Sequence, residues 1–266
     1  MSAATSKTIF LDSFVFIKAF KDASLRTKLQ NYLTAQGRIL VVNAVSLIEI
    51  YLDQPSRWAE IADFLSAVPF CIAKNPESIF AEEVKHYPHT IPLPLGFYSQ
   101  ADAESMTELR KAIEDNIKSK IPAFLRSYKK GREEFMSKIL TRIHKLPDGT
   151  GDRNVALFIY TNEPILEDLL RYHKSFLDSH SLPIEVKSFR SSYIPNLSMF
   201  LEYYVAKKTP KKGDMGDFFH MSYIPYVGEA VIDGERFDML ERINRSGLLS
   251  ESLVAYNWHQ FLDTIN

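Results

Sequence analysis

The run Arg38-Ile-Leu-Val-Val42 is the strongest constraint on what this chain can fold into. Consecutive apolar residues cannot alternate between core and water, so the run reads as a central parallel strand covered on both faces. Thr8-Ile-Phe-Leu11 upstream is a second short β-type run. Between them, Ala23 to Gln36 is helical by composition and stops at Gly37, a residue suited to follow a helix end. Asn43 then caps a helix carrying Ser46, Glu49 and Leu52. Strand, helix, strand, helix is the grammar of an α/β parallel sheet.

The pattern continues with a helix over Pro55 to Val68, a strand at Phe70-Cys-Ile-Ala73 and a helix from Pro76 to about His86. Then it breaks. Tyr87 to Gly96 is too rich in proline for regular structure. Ala101 to Lys145 is charged and helix-favouring, interrupted near Pro122, and Leu146 to Asp152 reads as a loop. Asn154 to His180 and Ser192 to Lys208 read as helical, with Pro164 and Pro195 near starts or breaks. The α/β pattern returns with a helix over Asp214 to Tyr226 and a strand over Ala230 to Ile232. A helix over Gly234 to Asn244, a last strand at Leu253 to Tyr256 and a terminal helix close the chain. The expectation is a five-stranded parallel sheet flanked by helices. Residues 1–89 and 209–266 form that discontinuous domain, and residues 90–208 a mainly helical insertion.

Composition narrows the function classes. A formal charge of −1 leaves no global basic footprint, so contact with nucleic acid must come from local patches. A single cysteine excludes an internal disulfide and fits a reducing compartment; Cys71, between Phe70 and Ile72, reads as a small buried apolar residue. No stretch approaches membrane-span length and the N-terminus shows no cleavage pattern, so the expected location is the cytoplasm.

The acids fall at suggestive places. Asp12 ends the first strand, Glu49 lies on the helix after the second, and Asp233 ends the strand at Val231-Ile232. Asp214 and Asp217, three apart, share one face at a helix start. In an open parallel sheet the carboxyl edge is where ligands bind. Acids converging there repel one another unless protonated or holding a cation, and Mg²⁺ or Mn²⁺ is the natural neutraliser. No His/Cys set with zinc spacing competes.

Ile9-Phe-Leu-Asp-Ser-Phe-Val15, Val41 to Tyr51, Asp217 to Tyr226 and Ala230-Val-Ile-Asp233 resemble, in order, the signatures of PIN-domain ribonucleases; Val254 to Leu262 resembles that family's last strand and closing helix. The resemblance covers about residues 7–75 and 209–266. It implies a five-stranded parallel sheet between helices and Mg²⁺- or Mn²⁺-dependent hydrolysis of RNA by an activated water, without a covalent intermediate. Asp12, Glu49, Asp217 and Asp233 match the acidic positions, with Asp214 as an auxiliary ligand and Ser13 as the hydroxyl residue after the first acid. Asn43 and His220 would support the ligands. Two positions depart from the pattern: Gly228 stands where many relatives carry an acid, and Ile232 replaces a usual threonine.

Each residue also has a plainer role. Asp12 and Asn43 suit helix caps, Asp233 a turn before Gly234, and Asp214 a surface acid beside Lys211 and Lys212. His220 suits a partly buried helix position, and the tyrosines and phenylalanines suit a core. Glu49 is harder to dismiss, because Leu47, Ile48 and Ile50 surround it and an unpaired buried carboxylate is costly. Lys129, Lys130, Arg132, Lys211 and Lys212 are candidate phosphate contacts against a background of ordinary solvated charge. The leading expectation is a metal-dependent endoribonuclease acting on RNA, as a toxin or defence effector. It leaves room for an inhibitory protein partner and for a homodimer. The alternatives are a PIN-like RNA-binding or protein-interaction scaffold with weakened catalysis, and a structure-selective DNA nuclease.

Overall fold

The structure, a computed structural model, describes residues 7–89, 96–99, 121–145, 152–180, 183–211, 213–249 and 253–266. Most of the proline-dense stretch, the helix-favouring residues before 121, the loop at 146–151 and Lys212 lie outside the described residues.

In chain order the main elements begin with β1 (Thr8–Leu11), α1 (Ser13–Lys21), α2 (Ala23–Ala35), β2 (Ile39–Val42), α3 (Ala44–Asp53), α4 (Trp58–Ser66) and β3 (Phe70–Ala73). There follow α5 (Pro76–His86), β4 (Gly96–Ser99), α6 (Ile121–Lys145), α7 (Arg153–Leu157), α8 (Glu163–Tyr172), α9 (Lys174–Ser179) and α10 (Arg190–Met199). The chain closes with α11 (Asp214–Met221), β5 (Glu229–Val231), α12 (Gly234–Asn244), β6 (Val254–Tyr256) and α13 (Trp258–Ile265). Two compact units result: Met1–Asn75, Pro94–Arg126 and Tyr226–Asn266 form one, and Pro76–Leu93 and Ser127–Pro225 the other.

The first unit holds one sheet in the order β4-β3-β2-β1-β5-β6. Five of its strands are parallel, as the apolar runs require. The sixth, β4, pairs antiparallel with β3, so a segment of the stretch expected to be helical adds an edge strand. β1 lies between β2 and β5, with Ile9 opposite both Leu40 and Glu229. Ile9, Phe10 and Leu11 are wholly buried, as are Leu40 to Val42 within a percent, because helices cover both faces. One side packs Phe16 and Phe20 of α1, Leu29 and Leu33 of α2, Trp58 and Phe64 of α4 and Phe261 of α13 into a continuous core with Leu11, Val42 and Val231.

Local chemistry sets the helix ends. The Asp22 side chain accepts from the backbone N–H groups of Ser24 and Leu25 and starts α2. Gly37, at φ +60°, turns the chain away from α2 into β2, a conformation that costs other residues a steric penalty. Asn257 and Gln260 bond reciprocally at the start of α13.

The second unit is helical, and its core gathers Ile139, Ala156, Tyr160, Met199, Phe200, Tyr203 and Phe218. Pro164 follows closely on a π-helical turn at Phe158–Asn162 that leads into α8. Pro195 instead lies inside α10, which continues into a π-helical turn at Phe200–Val205. Among the described residues no helix is long and apolar enough to cross a membrane.

At the amino edge of the sheet, Arg38 Nε donates to Glu229 Oε1 at 2.8 Å and Tyr32 Oη to Glu229 Oε2 at 2.8 Å. The guanidinium also lies over the Tyr32 ring, 4.0 Å from its centre. Both charged side chains are nearly 90% removed from water, at 12% and 13% exposure. Removing one partner strands a buried charge. Glu229→Ala is therefore expected to lower unfolding free energy by about 3 kcal/mol, and the double change Arg38→Met with Glu229→Leu to cost much less. Urea titration of the three proteins checks the order.

Candidate functional site

The strand order turns back at β1 and β5: connections from β1 run outward to β2, and the chain returns to β1's other side through β5. Such a reversal opens a crevice at the carboxyl ends of the two strands. Asp12 directly follows β1, and its backbone N–H donates to Val231 O at 3.0 Å, which continues the ladder to the strand tips. Asp233 lies two residues beyond the end of β5. The sheet register thus delivers two carboxylates to one place.

Their electrostatics record the proximity. Burial first, and then the charge of Asp233, push the Asp12 carboxyl up to about 6; a hydrogen bond from the Ser13 hydroxyl works in the other direction. That bond, Ser13 Oγ to Asp12 Oδ1, spans 3.2 Å. Asp12 is 7% exposed and Ser13 9%. Asp233 is half-buried and its Oδ1 accepts from the Arg236 N–H at 2.9 Å, so it caps α12 while facing Asp12 electrostatically. Its capping role and its place beside Asp12 coexist.

β2, on β1's other side, ends at Asn43, which is fully buried. Its Oδ1 accepts from Ser46 N at 2.9 Å and starts α3, whereas its Nδ2 is buried without a protein partner. An unmet buried donor costs free energy on the order of 1–3 kcal/mol. Asn43, Ser46 and Glu49 follow at three-residue spacing, one polar stripe on a helix whose other positions, Val45, Leu47, Ile48 and Ile50, are buried and apolar. Glu49 is half-buried.

The remaining expected site residues belong to the second unit. Asp214, 9% exposed, has its Oδ2 committed to the Tyr203 hydroxyl at 2.6 Å and the Lys211 N–H at 2.8 Å. It ties the segment before α11 to Tyr203 rather than lying free on the surface. Asp217, half-buried, and His220, 3% exposed, follow at three-residue steps on α11. Among the basic candidates, Lys129, Lys130 and Lys211 are exposed and Arg132 half-buried, with Lys130 paired to Glu134 at 3.6 Å. Among the described residues no three His, Cys, Asp or Glu side chains are gathered as a ligand set. Cys71 is buried as expected, and burial raises its thiol to about 11, which disfavours the thiolate.

One polar residue escaped the sequence reading. Glu83 of α5 is 8% exposed, accepts from Ser191 N at 2.9 Å and from Ser191 Oγ at 2.5 Å, and is pushed up to about 8 by burial. It caps α10 from a distant part of the chain. The signal was present: Glu83 shares a face with Ile79 and Phe80, the apolar side of its helix.

Two measurements follow. Asp233→Asn removes the neighbouring charge and is expected to lower the Asp12 pKa from about 6 while leaving it above that of a free aspartate, because burial remains; carbon-detected NMR titration reads it. Glu83 in the folded state holds its proton up to about pH 8, whereas the unfolded chain releases it near 4.5. Its contribution is therefore complete below that lower value and is lost as pH rises towards 8, at up to about 1.4 kcal/mol per pH unit. Glu83→Gln is expected to flatten that decline in urea unfolding measured between pH 5 and 8.

Comparison of the chain with family models, with curated proteins and with solved structures gives no match.

Proposed function

We propose that the chain is a divalent-cation-dependent endoribonuclease of PIN-like architecture. The observation that carries this reading is the meeting of Asp12 and Asp233 where β1 and β5 end, with the proton affinity of Asp12 raised by burial and then by its neighbour. Two carboxylates so placed are uncomfortable in the absence of a cation, since each charge raises the cost of the other.

The donors suit a hard ion. They are carboxylate oxygens, and among the described residues no sulfur or paired imidazoles accompany them at this edge, which favours Mg²⁺ or Mn²⁺ over a softer metal. Asp12 and Asp233 and, by resemblance, Glu49 would hold it. When bound, the ion supplies Lewis-acid polarisation of a phosphodiester oxygen. The chain's own residues do the rest. The Ser13 hydroxyl orients Asp12 through the 3.2 Å hydrogen bond. The spare N–H of Asn43 offers a donor to an oxygen that enters beside β2. The buried Ile232 and Leu11 keep the strand ends dry, which strengthens every electrostatic contact made there.

RNA, rather than another phosphodiester, comes from the resemblance, and the exposed Lys129, Lys130 and Lys211 offer charges for its backbone. A toxin or defence role, with an inhibitory partner or a homodimer, accompanies the same reading.

Purified protein with end-labelled RNA and Mn²⁺ tests it. Asp12→Ala and Glu49→Ala are each expected to slow cleavage at least about 100-fold, or about 2.7 kcal/mol of barrier, with folding unchanged by circular dichroism. Asp217→Asn in the same series measures whether that acid belongs to the set. RNA binding without cleavage by the wild type would replace the enzyme with a scaffold, and cleavage confined to a DNA substrate would make it a DNA nuclease.

A further inference from the structure

The second unit contains a cavity of about 470 Å³ between the first turns of α5 and α10, the end of α8 and Lys138 of α6. That volume suits a small molecule. Lys138 and Arg171 line it together with Glu77 and Asp168, around Phe80 and His173.

The chemistry of these walls restricts the occupant. A helix start is ordinarily a place for an anion, but the first amides of α10 are taken: Ser191 N donates to Glu83, and Ser192 N and Tyr193 N donate to Phe189 O. An anion in the cavity must therefore be met by the two side-chain cations. Both line the cavity and are exposed, and both also act electrostatically on Asp168. The two carboxylates oppose a bare anion, so an occupant must also present hydrogen-bond donors to them. Asn196 contributes rigidity, with its Oδ1 accepting from Arg142 Nη1 at 3.1 Å and its Nδ2 donating to Ser192 O at 2.9 Å. The His173 ring stands edge-on to Phe80, with centres 5.6 Å apart, and the pair forms an aromatic wall. Anion, hydroxyl or amine donors, and a flat apolar body together describe a phosphorylated nucleoside.

We propose that this cavity binds a nucleoside monophosphate. Its phosphate meets Lys138 and Arg171, its ribose hydroxyls or exocyclic amine meet Asp168 and Glu77, and its base packs on Phe80 and His173. The site needs nothing from the carboxylates at the sheet edge and stands or falls apart from the nuclease reading.

Isothermal titration of the full chain with the four ribonucleoside monophosphates, adenosine and inorganic phosphate tests the assignment. At least one monophosphate is expected to bind with a submillimolar Kd, with adenosine and inorganic phosphate each at least about tenfold weaker. Arg171→Ala and Lys138→Ala, both at exposed positions, are each expected to weaken the monophosphate about tenfold and to leave adenosine unchanged. Asp168→Asn is expected to narrow the gap between monophosphate and inorganic phosphate. Absence of monophosphate binding at millimolar concentration overturns the proposal. So does inorganic phosphate binding as tightly as the nucleotide, or binding indifferent to both cation substitutions. Asp12→Ala separates the two sites: monophosphate binding that persists in that variant supports the cavity whatever the RNA assay shows, and binding lost with Asp12 places the nucleotide elsewhere and overturns the assignment.

Discussion

The parallel pairing of β1 with both β2 and β5 is the constraint on which the rest of the sheet unit depends. It places β1 at the centre, and the centre of a two-sided sheet admits only apolar side chains along the strand. Polarity can therefore return only where the strand ends. The first residue after Leu11 is Asp12, and the register that aligns Leu11 with Val231 carries Asp233 to the same edge. Backbone hydrogen bonding, rather than attraction between side chains, thus brings two like charges together. The energy of the ladder and the core exceeds the cost it imposes, and the proton affinity of Asp12, raised first by burial and then by the charge of Asp233, records that cost. Departures from local comfort held in place by a rigid frame are commonly found at sites of function.

How much of this could be read from residues alone depends on the range of the interaction involved. Arg38 to Val42 announced a doubly covered strand because burial on both faces removes alternation, a local signal. Asn43, Asp22 and Gly37 likewise act within a few residues, and each does at its helix end what such residues do. β4 was hidden: Gly96-Phe-Tyr-Ser99 is short, follows a proline-dense stretch and gains strand character only from pairing with β3. The register of β5 was legible to within a residue, the strand running Glu229–Val231 rather than Ala230–Ile232. Of the acids, Asp12 and Asp233 could be placed at strand ends from their neighbours, but their electrostatic coupling required the sheet order, which no single segment contains.

The helical unit makes the same point through its buried polar groups. Glu83 and Ser191 are 108 positions apart and Arg142 and Asn196 are 54 apart, so neither hydrogen bond is visible in local pattern. Asp214 looked like a surface acid among lysines, yet the Tyr203 hydroxyl, eleven residues earlier, captures it. Low-polarity surroundings make such bonds hard to leave unmade, which is why they can specify one helix arrangement among many apolar alternatives.

The two departures from the PIN-domain pattern bear unequally on the carboxylate pair. Gly228 N donates to Thr8 O at 3.0 Å and to Thr8 Oγ1 at 3.1 Å, and Gly228 O accepts from Val254 N, all at the amino end of the sheet. Five residues of extended chain separate it from Asp233, roughly 15 Å. An acid at that position would not reach the edge where Asp12 and Asp233 meet, so its replacement by glycine subtracts nothing from that pair. Ile232 is different. It is 3% exposed, adjoins Asp233 and carries no hydroxyl, so Ser13 becomes the hydroxyl that orients a carboxylate at this edge through its bond to Asp12. An apolar residue beside Asp233 raises the cost of charge at this edge, as burial does for Asp12.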